Sequence, residues 1–151
     1  MSAIPVLDHT FATRLITIAR SAGSAILEVY NSIDGMDIQI KSDDSPLTAA
    51  DLAAHNLIVH ELPKLLAVPM ISEESVVPPL SERKQWPAYW LIDPLDGTKE
   101  FIARNGQFTV NIALVINGVP LAGVVHVPVT DETYLGLINP LLLMVCRLPK
   151  N

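Results

Sequence analysis

At 151 residues, 50% hydrophobic and 17% charged, the chain has material for one domain with a real core and is too apolar to stay disordered. Its net charge of −6 argues against a broad nucleic-acid-binding face, and its single cysteine, Cys146, excludes an internal disulfide and every cysteine-rich metal site. The first ten residues lack the basic and apolar regions of a secretory signal, and no apolar run nears the ~20 residues of a transmembrane helix, so a soluble cytoplasmic protein is expected, with peripheral association at the inner membrane left open.

Asp8 reads as the N-cap of a helix running to about Tyr30, with Phe11, Leu15, Ile18, Ala22, Ile26 and Val29 at three- and four-residue spacing. A turn-rich stretch follows around a short strand, Met36–Lys41. A second helix begins near Thr48 and carries Leu52, Leu57, Leu62 and Leu65, with Pro63 expected to end or kink it. Val68–Ile71 reads as a short strand delivering Ser72-Glu73-Glu74-Ser75, and Val76–Pro87, with its prolines, as a loop.

The next strand, Tyr89–Ile92, leads into Asp93-Pro94-Leu95-Asp96-Gly97-Thr98. Pro94 biases Asp93 towards an extended backbone, Gly97 permits a tight turn, and Thr98 sits where a helix could begin with free N–H groups facing an anion. Gln107–Ile116 is rich in β-branched residues, Asn117-Gly118 is a strong hairpin signal, and return strands follow at Leu121–Val127 and Thr133–Leu137. Helices followed by a meander predict an α+β fold, with layered helices packed on an antiparallel sheet.

The chemistry concentrates in Glu73, Glu74, Asp93 and Asp96, all at or beside strand ends. Were they to converge, protonation or a cation would have to relieve their repulsion, and oxygen donors favour Mg²⁺, Mn²⁺ or Ca²⁺. Two ions roughly 3.5–4 Å apart could activate water and stabilise a leaving oxygen. The bland alternatives are an acidic turn at 93–98 and a solvated Glu-Glu pair. Asp51 has two readings: Thr48-x-x-Asp51 fits a capping box, and the same carboxylate could polarise the Thr98 hydroxyl to orient a water. Lys41 is either a solvated strand lysine or a screen for the acidic cluster. His9, His55, His60 and His126 fall at non-ligand spacings and read as surface or packing residues.

Together, I-S-E-E-S at 71–75, W-L-I-D-P-L-D-G-T-K-E-F-I at 90–102 and N-G-Q-F-T-V-N-I-A-L-V at 105–115 resemble the inositol monophosphatase superfamily of Mg²⁺-dependent, lithium-sensitive phosphatases. The K-E-F-I and F-T-V-N-I-A-L segments are similar to its CysQ-type branch, the 3′(2′),5′-bisphosphate nucleotidases. The resemblance covers roughly residues 8–135. It implies the N-terminal half of a layered αβαβα fold and two or three Mg²⁺ ions, Mn²⁺ being an alternative. Glu73, Asp93, the Leu95 main-chain carbonyl and Asp96 would be the metal ligands, with Glu73 also in the catalytic set. Glu73, Leu95, Asp96, Gly97, Thr98 and Lys41 would line the substrate, and Asp51 and Thr98 would activate the water. The implied substrate is a small nucleotide bisphosphate: adenosine 3′,5′-bisphosphate would lose its 3′-phosphate to give AMP, recycling a by-product of sulfur assimilation. An inositol or sugar monophosphatase is the alternative within the enzyme class.

Departures from that pattern are equally legible. Family members run to roughly twice this length, and their later W-D segment, which supplies a further metal-binding aspartate, has no counterpart here. Beyond Tyr134 the resemblance fades. The expectation is an N-terminal α+β domain over 1–135 and a divergent tail over 136–151, in which Leu141–Cys146 is either a divergent buried strand or the product of a frameshifted or truncated frame, the latter preferred. A sheet left uncovered invites self-association. The isolated chain is then expected to bind Mg²⁺ weakly and turn over slowly or not at all, and a catalytically dead metal-binding fragment is the non-enzyme reading.

Overall fold

The computed structural model describes residues 6–32, 45–139 and 142–150. Lys41 and the expected strand Met36–Lys41 lie outside the described residues.

Helix α1 spans His9–Asn31 and starts as its sequence dictates: the Asp8 side chain accepts the Phe11 N–H at 2.9 Å. Helix α2 spans Pro46–Leu65 and begins earlier than expected. Its N-cap is Ser45, whose Oγ accepts the Thr48 N–H at 3.1 Å, and Pro46 takes the first helical position, where a missing N–H costs nothing. The capping-box reading of Thr48 and Asp51 is therefore corrected. Thr48 is the residue being capped, and Asp51 lies a turn further in, only 2% exposed. Pro63 does not end the helix, since α2 continues two residues past it to Leu65; its missing N–H leaves one i→i−4 bond of the last turn unmade.

Six strands form one mixed sheet: β1 (Met70–Ser72), β2 (Ala88–Asp96), β3 (Thr109–Ile116), β4 (Val119–Val127), β5 (Glu132–Asn139) and β6 (Leu142–Leu148), adjacent in that order. Pairing is antiparallel from β2 to β6, as the meander predicted, while β1 joins β2 in parallel. The 76–87 loop contains one helical turn, α3 (Leu80–Arg83), and α4 (Thr98–Ile102) follows β2. Asn117 and Gly118 turn β3 into β4 with φ of 50° and 77°, the pair of positive values that a twist-matched hairpin needs.

Both long helices cover one face of the sheet. Leu15, Ala22 and Ile26 of α1 and Ala54 and Ile58 of α2 join Trp90, Ile112, Leu114 and Val124 in a single core. Phe11 stacks on Trp90 with ring centroids 6.2 Å apart, and the indole N–H donates to the Leu66 carbonyl at 3.1 Å, so the one polar atom of that buried ring is satisfied. No helix among the described residues is long and apolar enough to cross a membrane.

One buried polar pair joins β4 to β5 beneath α1. His126 of β4 is buried, with Nδ1 2.8 Å from Thr133 Oγ1 of β5, and α1 passes so close that a Cβ added at Gly23 would fall 2.6 Å from the imidazole Cδ2. Burial lowers the His126 pKa from 6.5, against the opposing pull of Asp131; Arg20 lowers it further. The folded state thus binds this proton less readily than the unfolded chain, and stability present above pH 6.5 is lost as pH falls through the folded value. Thermal melts are expected to show this acid loss in the wild type and a flatter profile in His126→Asn, which keeps a polar atom near Nδ1. Parallel profiles would assign the acid loss elsewhere.

Candidate active site

The acidic residues meet because of strand pairing. Parallel register sets Ile71 beside Leu91 and Ser72 beside Ile92, and the Glu73 N–H donates to the Ile92 carbonyl at 3.3 Å. Strand β1 ends at Ser72 while β2 runs on to Asp96, and the parallel register sets Glu73 level with Asp93.

Asp93 and Asp96 are three residues apart, a spacing that in a regular strand points side chains to opposite faces. Here Asp93 pairs with Asn111 and Asp96 with Thr109, so four residues of β2 oppose three of β3. Pro94 and Leu95 form the bulge. Proline suits it, having no N–H to lose from the ladder. Because Asn111 and Thr109 share one face of β3, the bulge returns Asp96 to the face of Asp93. Asn111 then bridges the group: its Nδ2 donates to Asp96 Oδ2 at 3.0 Å and its Oδ1 accepts the Thr109 hydroxyl at 2.9 Å.

Beyond Asp96 the chain turns at Gly97, with φ 101° and ψ 49°, into α4, which Thr98 opens as an exposed residue. Phe101 of α4 is fully buried against Phe108 and Tyr30, at centroid distances of 5.3 and 5.2 Å. Arg104 closes the far end, its guanidinium 4.2 Å over the Tyr30 ring and donating to the Tyr30 carbonyl at 3.0 Å. This anchorage holds the 96–98 turn beside the carboxylates.

Asp93 registers the convergence electrostatically. Burial raises its pKa from 3.8 to about 6, followed by repulsion from Glu73, Asp96 and Asp51, while the Leu95 N–H lowers it. Its Oδ1 is buried without a hydrogen-bond partner. A buried, orphaned carboxylate oxygen facing three other carboxylates is a donor arrangement for a hard divalent cation. Among the described residues no three His, Cys, Asp or Glu side chains stand close enough to enclose an ion by themselves, so an ion here would draw further oxygens from the main chain, water or a ligand. A groove of about 430 Å³ opens alongside on the face of the sheet that α1 and α2 leave uncovered, lined by Glu73, Leu91, Asp93, Asn111, Ala113 and Val125.

Of the residues singled out in the sequence, Glu73, Asp93, Asp96 and Asp51 are thus brought together, and Gly97 and Thr98 border them. Leu95 is buried at the bulge. Glu74 is half-buried, in the turn that carries Glu73. Among the histidines, His9 and His60 are exposed, His126 is a packing residue, and His55 is not merely one: its Nδ1 lies 2.9 Å from the buried Ser72 Oγ beside Glu73. Neither the Asn111 contact nor the His55 contact, where the sequence suggests a surface or packing histidine, leaves a local pattern. Their partners are 15 and 17 residues away, on other elements.

A sequence model of the inositol monophosphatase family matches residues 8–139. The chain is 55% identical over 119 residues to the 3′(2′),5′-bisphosphate nucleotidase CysQ of Escherichia coli strain K12, covering 78% of this chain and 48% of that protein. To the protein of the same description from Haemophilus influenzae it is 36% identical over 134 residues, covering 88% and 49%. The crystal structure of CysQ from Bacteroides thetaiotaomicron superposes with a TM-score of 0.81 at 43% identity, covering 94% of this chain and 51% of that one. The chain spans about half the length of the curated relatives it matches.

Proposed function

The chain belongs to the inositol monophosphatase family, and from that premise we propose that it serves a cytoplasmic Mg²⁺-dependent 3′(2′),5′-bisphosphate nucleotidase activity. The reaction would remove the 3′-phosphate of adenosine 3′,5′-bisphosphate to leave AMP. The observation that carries this reading is geometric: the β1–β2 register sets Glu73 level with Asp93, the β2 bulge returns Asp96 to the face of Asp93, and Asp93 Oδ1 is buried without a hydrogen-bond partner.

In this reading Glu73, Asp93, the Leu95 carbonyl and Asp96 hold Mg²⁺, or Mn²⁺ in its place. Bound metal neutralises the acidic site and polarises the phosphate. Asp51 accepts a hydrogen bond from the Thr98 hydroxyl, leaving the Thr98 oxygen to receive one from the attacking water. Gly97 and Thr98 border the phosphate, and Glu73 shares in orienting the water. Water adds to phosphorus as the P–O3′ bond breaks, and one proton given up by that water ends on the departing ribose oxygen, leaving AMP and inorganic phosphate.

Phosphate release from adenosine 3′,5′-bisphosphate and from inositol 1-phosphate, by this chain and by a form extended to the length of its relatives, tests the reading. The bisphosphate is expected to be the better substrate, and Asp51→Asn is expected to lower kcat ~10²–10⁴-fold. Preference for inositol 1-phosphate would make it an inositol phosphatase. Tight Mg²⁺ binding without turnover in either form would favour a metal-binding fragment.

The uncovered sheet face exposes Leu91, Val125, Ile138 and Val145 and supports self-association through that face. A monomer by sedimentation at every concentration would count against it.

A further inference from the structure

His55 stands one helical turn after Asp51 on α2, so the two side chains leave the same side of the helix. Its Nδ1 lies 2.9 Å from Ser72 Oγ, the last residue of β1 and 1% exposed. Ser72 is also the hub of the turn that carries Glu73. Its Oγ accepts the Glu74 N–H at 3.4 Å, and its carbonyl accepts both the Ser75 N–H and the Ser75 hydroxyl at 3.2 Å. Strand β1 is only three residues long and lies at the edge of the sheet, so few ladder bonds hold its end. The His55 contact adds the link that runs from the turn directly to α2.

We infer that His55 is a positioning residue: through Ser72 it fixes the Glu73 turn against α2, and so sets Glu73 and Asp51 at their places around Asp93. This rests on the metal-site reading above and goes beyond it by assigning a role to a residue that touches neither metal nor substrate. Groups that support a ligand from behind in this way commonly change metal affinity by ten- to a hundredfold when removed. Neither the histidine spacing nor the capping of α2 requires an imidazole at this position.

The test is Mn²⁺ titration of the whole chain followed by the paramagnetic resonance of free Mn²⁺, with circular dichroism to establish folding. His55→Ala is expected to weaken Mn²⁺ binding about tenfold. His55→Asn, which keeps a polar atom near Nδ1, is expected to recover most of that affinity. Ser72→Ala should weaken binding comparably, and the double variant should be no weaker than the worse single one, because both remove one shared interaction. Should His55→Ala fail to fold, the Ser72→Ala and His55→Asn arms still decide. Unchanged affinity in His55→Ala, with binding lost in Asp93→Asn, would overturn this inference alone, as would an asparagine variant no better than alanine. Wild-type binding that survives Asp93→Asn, or no wild-type binding at all, would overturn the metal-site reading with it.

Discussion

Asp93→Asn is expected to raise the melting temperature of the metal-free chain at pH 8 by roughly 3–6 °C and to remove its stabilisation by Mg²⁺. Burial and the charges of Glu73, Asp96 and Asp51 raise the pKa of this carboxyl from 3.8 to about 6. The folded state therefore binds the proton more tightly than the unfolded chain. That contribution is fully present below pH 3.8 and is lost as pH rises through about 6. Undiscounted, the change is worth ~3 kcal/mol. The carboxyl is partly open to solvent, and screening brings the figure to about 1–2 kcal/mol.

Asparagine keeps the shape and removes the charge, so the penalty disappears at pH 8 and the difference from wild type should shrink towards zero near pH 4. Mg²⁺ should raise the wild-type melting temperature and leave the variant unmoved. Equal metal-free melting temperatures at pH 8 would remove the electrostatic account of the site. A variant that still responds to Mg²⁺ would remove Asp93 from the ligand set. His126 works in the opposite sense, since its lowered pKa costs stability on the acid side. The wild-type pH profile should therefore carry two opposed slopes, and each single variant should remove one.

Gly97→Ala is expected to lower the melting temperature by roughly 5–10 °C, a cost of about 2–3 kcal/mol, and to blunt the Mg²⁺ response. Gly97 has φ 101°, and an added Cβ would lie 3.1 Å from Phe108 Cα and 3.3 Å from the Gln107 carbonyl oxygen. Those are backbone atoms of a segment locked by its aromatic packing: Phe108 is fully buried, 5.0 Å from the Tyr30 ring. Strain and crowding therefore add, and what gives way is the turn between Asp96 and Thr98. Gly118 separates the two causes. It has φ 77° with nothing within 4 Å of an added Cβ, so alanine there meets only the conformational cost, about 1–2 kcal/mol. Equal losses at the two positions would mean that contact with Phe108 contributes nothing.

The sequence by itself determined whatever depends on near neighbours. Asp8 capping α1, the apolar stripe down that helix and the Asn117-Gly118 hairpin all act over a few residues, and all were legible. So were the identities of the acidic residues and, through their ordered neighbours, the family. Misreadings arose where a local pattern had a competitor nearby. Thr48-x-x-Asp51 looked like a cap because Ser45-Pro46, a better start three residues earlier, stood in a polar stretch read as loop. Only the tertiary structure decided that Asp93 and Asp96 share a face. Strand periodicity separates them, and the β2 bulge, set by pairing with β3, reverses it. Likewise, β1 joining the sheet in parallel sets Glu73 level with Asp93 across twenty residues of chain, a relation that no periodicity encodes. His55 meeting Ser72 and Asn111 meeting Asp96 belong with these. Their partners are set by how elements stack and register, and such long-range pairings bring Glu73, Asp96 and Asp51 within electrostatic reach of Asp93.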